Sequence, residues 1–307
     1  MSPPPPLRRT PSRNGLALVP ATIALVAIVA GLAGCHSDPP AVSGLLVATA
    51  GRLEVTDEDA GLVAFGGPSD PVVALTAANG RVVAATAVGA FVSSSKADTA
   101  RPWTALHLPA RRVGEPMLMS LSPRGTELAV VGGDLQGEAF ELLIVDLDAG
   151  TSRRIPVARG LNGPPSWIGP TEIGVVVIKS DGESGMAGID SRTGVVSNDV
   201  LDARVASISA DGRHLALDDP RTGDVLVEAV DGSSRAPHGP VARLVGSAGS
   251  TVESVSLSSN GMRLAAVRRT DTGAGSIEIF RLIDAGWSLV RSLPLSDDGP
   301  VSIAWFP

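Results

Sequence analysis

Hydrophobic and polar positions along this chain fall into short alternating runs separated by turn residues, and the runs repeat. In MSLSPRGTELAVVGG, Met119 to Gly133, an alternating segment meets a Pro-Arg-Gly turn and an apolar segment follows. The same shape recurs as ASISADGRHLALDD (Ala206 to Asp219) and SVSLSSNGMRLAAVRR (Ser254 to Arg269). VALTAANGRVVAATA (Val73 to Ala87) is a weaker copy, and PSWIGPTEIGVVVI (Pro165 to Ile178) lacks the turn glycine. The turn positions Gly80, Gly125, Thr171, Gly212 and Gly261 lie 45, 46, 41 and 49 residues apart. Alternation bounded by Gly, Pro, Asn or Asp predicts strands joined by tight turns.

A second pair of runs trails each copy. FELLIVDLDAGTSRRIPV (Phe140 to Val157) is the clearest, and its Asp-Ala-Gly returns in LEVTDEDAGLVAFG (Leu53 to Gly66) and IEIFRLIDAGWSLV (Ile277 to Val290). Each repeat therefore holds four strands, A to D, which is the pattern of a β-propeller blade. The chain predicts five whole blades at about 72–109, 117–157, 165–200, 205–238 and 252–295. Residues 45–66 supply only three strands, and PVSIAWFP at 300–307 supplies one more. The predicted fold is all-β: a six-bladed propeller over 45–307, closed by pairing the C-terminal strand with the first blade. Closure removes open sheet edges that would otherwise pair with other chains.

The first 44 residues do not fit the repeat. Arg8, Arg9 and Arg13 precede an uncharged apolar run from Leu16 to Gly34. A positive start, an apolar centre and small residues at its end predict a secretory signal peptide over 1–34. Leu32, Ala33, Gly34 and Cys35 at its end resemble the lipobox of bacterial lipoproteins. That resemblance implies that Cys35 carries a diacylglycerol and becomes the first residue of the mature chain. An uncleaved membrane helix and an ordinary thiol are the alternatives at this stage. Cys35 is the single cysteine of the 307 residues, so no disulfide is available to the folded part. Residues 35–44 read as a short Pro-, Ser- and Gly-containing tether.

Charge narrows the partners. Without the three leader arginines, 22 basic residues face 32 acidic ones, a net charge of −10. Nucleic-acid binding wants a basic surface, so that class is excluded. The expected membrane contact is the lipid on Cys35, at the outer side of the cell membrane or at the outer membrane of a diderm envelope.

SPRGTELAV, SADGRHLAL and LLIVDLDAG resemble the Ser-Pro-Asp-Gly and Val-Asp-x-x-x-Gly signatures of TolB-like, WD40-like propeller repeats. The resemblance covers nearly all of Leu45 to Pro307 and departs at Arg124 and at Pro170-Thr171. It implies the six-bladed fold and says little of function, because the motif residues make turns. TolB carries a further domain before its propeller, for which the tether here leaves no room, so TolB's own partners are not carried over.

Candidate chemistry is sparse. VDLDAG and TDEDAG alternate carboxylates but lack the remaining ligands of a calcium loop, and an Asp bonding its own turn explains them. His36, His107, His214 and His238 have no metal-ligand spacing. No nucleophile elbow or phosphate loop appears, and neither a metal nor a cofactor is expected. Trp103, Trp167, Trp287 and Trp305 read as packing residues. The B–C and D–A connections, at 107–116, 132–139, 156–165, 179–186, 236–251 and 268–276, are longer and less regular than the A–B and C–D turns. Variable loops on a rigid scaffold are where binding sits. Arg111, Arg112, Arg159 and Arg243 are placed by this reading on D–A connections near the central channel, as a candidate site for an anionic group. The expected function is a monomeric protein-interaction scaffold for an envelope or membrane protein. An envelope hydrolase or lyase, or a small-ligand sensor at the channel mouth, are the alternatives.

Overall fold

The computed structural model describes residues 44–49, 51–56, 61–93, 103–108, 118–133, 140–157, 163–179, 182–230, 241–246, 249–284, 286–295, 299 and 301–306. By internal contacts the chain divides at Pro40, and the unit described here is Ala41–Pro307. The expected signal peptide, lipobox and Cys35 lie outside the described residues. No helix among the described residues is long and apolar enough to cross a membrane.

Six four-stranded antiparallel sheets make up the fold. Blade 1 begins with β1 (Gly44–Thr49), β2 (Arg52–Thr56) and β3 (Val63–Ala64). Blade 2 is β4 (Val72–Ala78), β5 (Arg81–Thr86), β6 (Ala90–Ser93) and β7 (Thr104–Leu106). Blade 3 is β8 (Leu118–Leu121), β9 (Glu127–Gly133), β10 (Phe140–Asp146) and β11 (Thr151–Val157). Blade 4 is β12 (Ser166–Trp167), β13 (Glu172–Ile178), β14 (Ser184–Asp190) and β15 (Val196–Leu201). Blade 5 is β16 (Ala206–Ile208), β17 (His214–Asp219), β18 (Asp224–Ala229) and β19 (Ala242–Leu244). Its outer strand lies beyond the 205–238 span expected for this blade. Blade 6 is β20 (Ser250–Leu257), β21 (Arg263–Thr270), β22 (Gly275–Ile283) and β23 (Gly286–Leu295). The last strand, β24 (Val301–Phe306), pairs antiparallel with β1, with Leu45 opposite Trp305 and Thr49 opposite Val301. It takes the inner position of blade 1, in the order β24-β1-β2-β3.

Each sheet buries both faces, which explains why the second strand of each blade reads as a continuous apolar run rather than an alternation. In β9, Ala129 and Val131 face blade 4, while Leu128 and Val130 face blade 2. The core is thus six clusters, one per seam between blades. The seam between blades 6 and 1 holds Leu45, Val47, Ile303 and Trp305 against Ala265, Val267, Ile277 and Ile279, all 5% exposed or less.

The repeated Ser-x-x-Gly turn has a local cause. Ser122 Oγ accepts the N–H of Glu127 at 3.0 Å, Ser209 Oγ that of His214 at 3.0 Å, and Ser258 Oγ that of Arg263 at 2.9 Å. The glycine adopts positive φ, +70° at Gly125, where a Cβ would also meet the Ala78 carbonyl oxygen at 2.8 Å. Blade 2 turns instead on Asn79 and Gly80, both at positive φ, the two-residue turn that suits a twisted hairpin.

Candidate functional site

A propeller's inner strands present one unpaired edge to the central channel, and that edge must be satisfied. Here side-chain hydroxyls do it. Thr76 Oγ1 of blade 2 accepts the N–H of Leu121 in blade 3 at 2.9 Å. Ser207 Oγ of blade 5 accepts that of Leu257 in blade 6 at 2.9 Å, and Ser256 Oγ of blade 6 that of Trp305 in blade 1 at 3.1 Å. Ser302 Oγ of blade 1 accepts the Leu75 N–H of blade 2 at 3.0 Å and donates to the Leu75 carbonyl at 2.9 Å. At the seam of blades 3 and 4, the Trp167 indole N–H donates to the Ser120 carbonyl at 3.1 Å. The inner strands line a channel cavity of about 360 Å³. Its described wall is made of aliphatic, methionine, proline, hydroxyl and tryptophan side chains, with Glu253 as the one charged residue among the described residues. Glu253 sits at a register break of β20 and accepts from Arg269 Nε at 2.8 Å.

The structure places the candidate arginines differently from the expectation. Arg243 lies in β19, the outermost strand of its blade, and not on the channel. Its Nε donates to Asp224 and its Nη2 lies 3.4 Å from Asp219 Oδ2. Burial pushes the Asp224 carboxyl up, but the Gly246 N–H at 2.8 Å and the Arg243 guanidinium outweigh it and hold the group below its ordinary value. Arg243 is therefore a clamp on the rim of blade 5. A three-residue strand buried in a Gly- and Ala-rich run from Ala236 to Thr251 gave no alternation to mark it, which is why the segment read as one loop. Arg111, Arg112 and Arg159 lie outside the described residues.

Sequence reasoning missed two buried arginines. Arg268 is 2% exposed; its Nε donates to Glu278 at 2.6 Å, and its other nitrogens donate to the Leu244 carbonyl at 3.2 Å and to that of Gly223. Arg269 is 9% exposed and bonds the carbonyls of Gly273 and Gly299 besides Glu253. The signal was present as two charges closing the apolar run LAAVRRT, where a buried cation needs partners close by.

The aspartate motifs act on their own turns. Asp146 Oδ1 accepts the N–H groups of Asp148 at 2.9 Å and Ala149 at 2.8 Å. Asp190 Oδ1 accepts those of Arg192 and Thr193, and chiefly the Thr193 N–H holds its carboxyl below the ordinary value. His214 starts β17 with Nδ1 unpartnered against Gly261, and His107 is exposed. His36 and His238 lie outside the described residues. Among the described residues no three His, Cys, Asp or Glu side chains converge as metal ligands do. Trp167 and Trp305 are buried, at 2% and 4% exposure, and Trp103 and Trp287 are half-buried. The face carrying the B–C and D–A connections exposes Val73, Val88, Ile178 and Val245.

No protein-family profile matches the chain. No curated protein matches it either. Solved structures do. TolB from Acinetobacter baumannii is 18% identical, with a TM-score of 0.59 over 93% of this chain and 71% of that one. A chain from a nidogen–laminin complex is 14% identical, with a TM-score of 0.59 over 87% of this chain and 99% of that one. A putative TolB from Agrobacterium tumefaciens is 15% identical, with a TM-score of 0.54 over 86% of this chain and 98% of that one. Identities this low show a shared fold and nothing further. Six radial sheets around a hydroxyl-latched channel make this chain a six-bladed β-propeller, with the fold seen in two TolB structures.

Proposed function

We propose that this chain is an extracytoplasmic lipoprotein, held at the membrane by a lipid on Cys35, whose propeller is a scaffold for an envelope or membrane protein. The partner docks on the face of the B–C and D–A connections. The observation that carries this reading is on that face: Val73, Val88, Ile178 and Val245 are exposed there, at 45%, 72%, 53% and 76%. Exposed apolar side chains suit a protein partner better than solvent; the opposite face also exposes Val195, Val196 and Met262, and the longer, irregular connections favour this face. Three of the described cations nearby are already paired, Lys179 and Arg221 to Asp202 at 3.0 and 2.9 Å, and Arg243 to Asp224. The nidogen–laminin complex supplies a parallel: a chain of similar fold solved in a complex of two proteins. The anchoring half of the proposal rests on Leu32-Ala33-Gly34-Cys35 at the end of an apolar run.

The test is site-specific photocrosslinking in living cells. A photoreactive residue at Val88 or Val245 gives one reproducible protein adduct, and the same residue at Val196 or Met262, on the opposite face, gives none. Adducts from the opposite face alone, or from neither, refute the docking face. Cys35→Ser releases the protein from membranes and abolishes incorporation of a labelled fatty acid. An unchanged membrane fraction without label refutes the lipid.

A further inference from the structure

The channel has a chemistry of its own, independent of any protein on the outer face. Each of the six inner strands places a hydroxyl residue on the channel wall, Thr76, Ser120, Ser166, Ser207, Ser256 and Ser302, and β20 adds Ser254 as a second. All but Ser166 are half-exposed although they sit at the centre of the fold, so the surface they expose is channel surface. The latches account for only part of their hydrogen-bonding capacity. Thr76, Ser207 and Ser256 accept one backbone N–H each, which leaves the hydroxyl proton free to donate. Ser302 alone both accepts and donates. Ser120 and Ser166 have no hydroxyl partner among the described residues.

The rest of the described wall favours one ligand class over others. An ion entering the channel sheds water and needs a counter-charge. Among the described residues the one charge on the wall, Glu253, is already paired with Arg269. A hydrocarbon would leave the hydroxyls without partners after displacing their water, at a cost of about 1–3 kcal/mol per buried group. What remains is an uncharged molecule carrying many donors and acceptors. The volume of about 360 Å³ falls within the ~300–1,000 Å³ of small-molecule sites.

We propose that the channel binds an uncharged polyhydroxylated molecule, a sugar or polyol, through the ring of inner-strand hydroxyls, with Ser120 and Ser166 as its principal contacts. The test titrates the purified full-length chain with glucose and with myo-inositol, and with glucuronate and glucosamine as charged counterparts, reading heat and saturation-transfer NMR. At least one neutral probe binds saturably, with one molecule per chain, and both charged counterparts bind at least about tenfold more weakly. Ser120→Ala combined with Ser166→Ala weakens the neutral probe by about tenfold or more with no change in unfolding midpoint. Ser120→Thr, which keeps the hydroxyl, keeps binding and guards against a loss caused by misfolding. No saturable binding of either neutral probe, equal binding of glucuronate, or full binding by the double variant overturns the proposal.

Discussion

Ile303→Ala tests whether the C-terminal strand is a structural member of the ring or an appendage to it. Ile303 is 5% exposed in β24 and packs among Leu45, Val47, Val267, Ile277 and Ile279. Truncation to Ala removes about three methylene equivalents, and at ~0.8 kcal/mol each the transfer loss is about 2.4 kcal/mol. A residual cavity adds to this, so the expected cost lies in the ~2–5 kcal/mol range for such truncations. Ile173→Ala is the matched control: Ile173 is 0% exposed, on β13 inside a blade whose four strands follow one another along the chain. Both variants should lower the urea midpoint by similar amounts with an unchanged slope, since slope tracks the surface exposed on unfolding. If Ile173→Ala costs more than ~2 kcal/mol and Ile303→Ala less than ~0.5, β24 contributes nothing to the cooperative unit, and the pairing with β1 is not what closes the fold.

Two further outcomes follow from the same geometry. Ser256→Ala strands the backbone N–H of Trp305, a residue 4% exposed, and should destabilise the protein by about 1–3 kcal/mol in urea unfolding, while Ser256→Thr restores the latch. Asp224 has a folded pKa below its unfolded value, so its stabilising contribution is complete above the ordinary carboxylate value and is lost as pH falls through the lower folded value. Asp224→Asn should therefore lower the melting temperature at pH 7 and flatten its fall on acidification, and a variant whose acid profile matches the parent refutes the Arg243 clamp.

Turn chemistry made the architecture legible in the sequence. The Ser-x-x-Gly and Asp-Ala-Gly turns recur because each needs a side-chain oxygen to hold backbone N–H groups and a residue at positive φ, and both needs are local. The channel hydroxyls were equally present in every inner strand, yet the role of the latches depends on contacts 45 to 50 residues away, or 227 at the closing seam. Nothing in the local pattern of VSLSS or VSIAW distinguishes a latch from a solvated serine. Arg243 failed for the opposite reason. Its strand β19 is three residues long and carries no periodicity, so composition alone placed it in a loop. Arg268 and Arg269 were visible as charges in an apolar run, but besides Glu278 and Glu253 their acceptors are backbone carbonyls, which no sequence pattern marks.

The latches also differ in the order in which their two partners occur along the chain. Thr76, Ser207 and Ser256 each leave the ribosome before the N–H they will receive, so those seams can lock as the next blade emerges. The latch between Ser302 and Leu75 runs the other way: the waiting amide is made early and its hydroxyl comes 227 residues later. Until residues 301–306 appear, the nascent protein is an open arc of five blades and a remnant, with the apolar sides of β1 and β4 facing water. The ring therefore stays open to wrong pairing until one strand, β24, is in place.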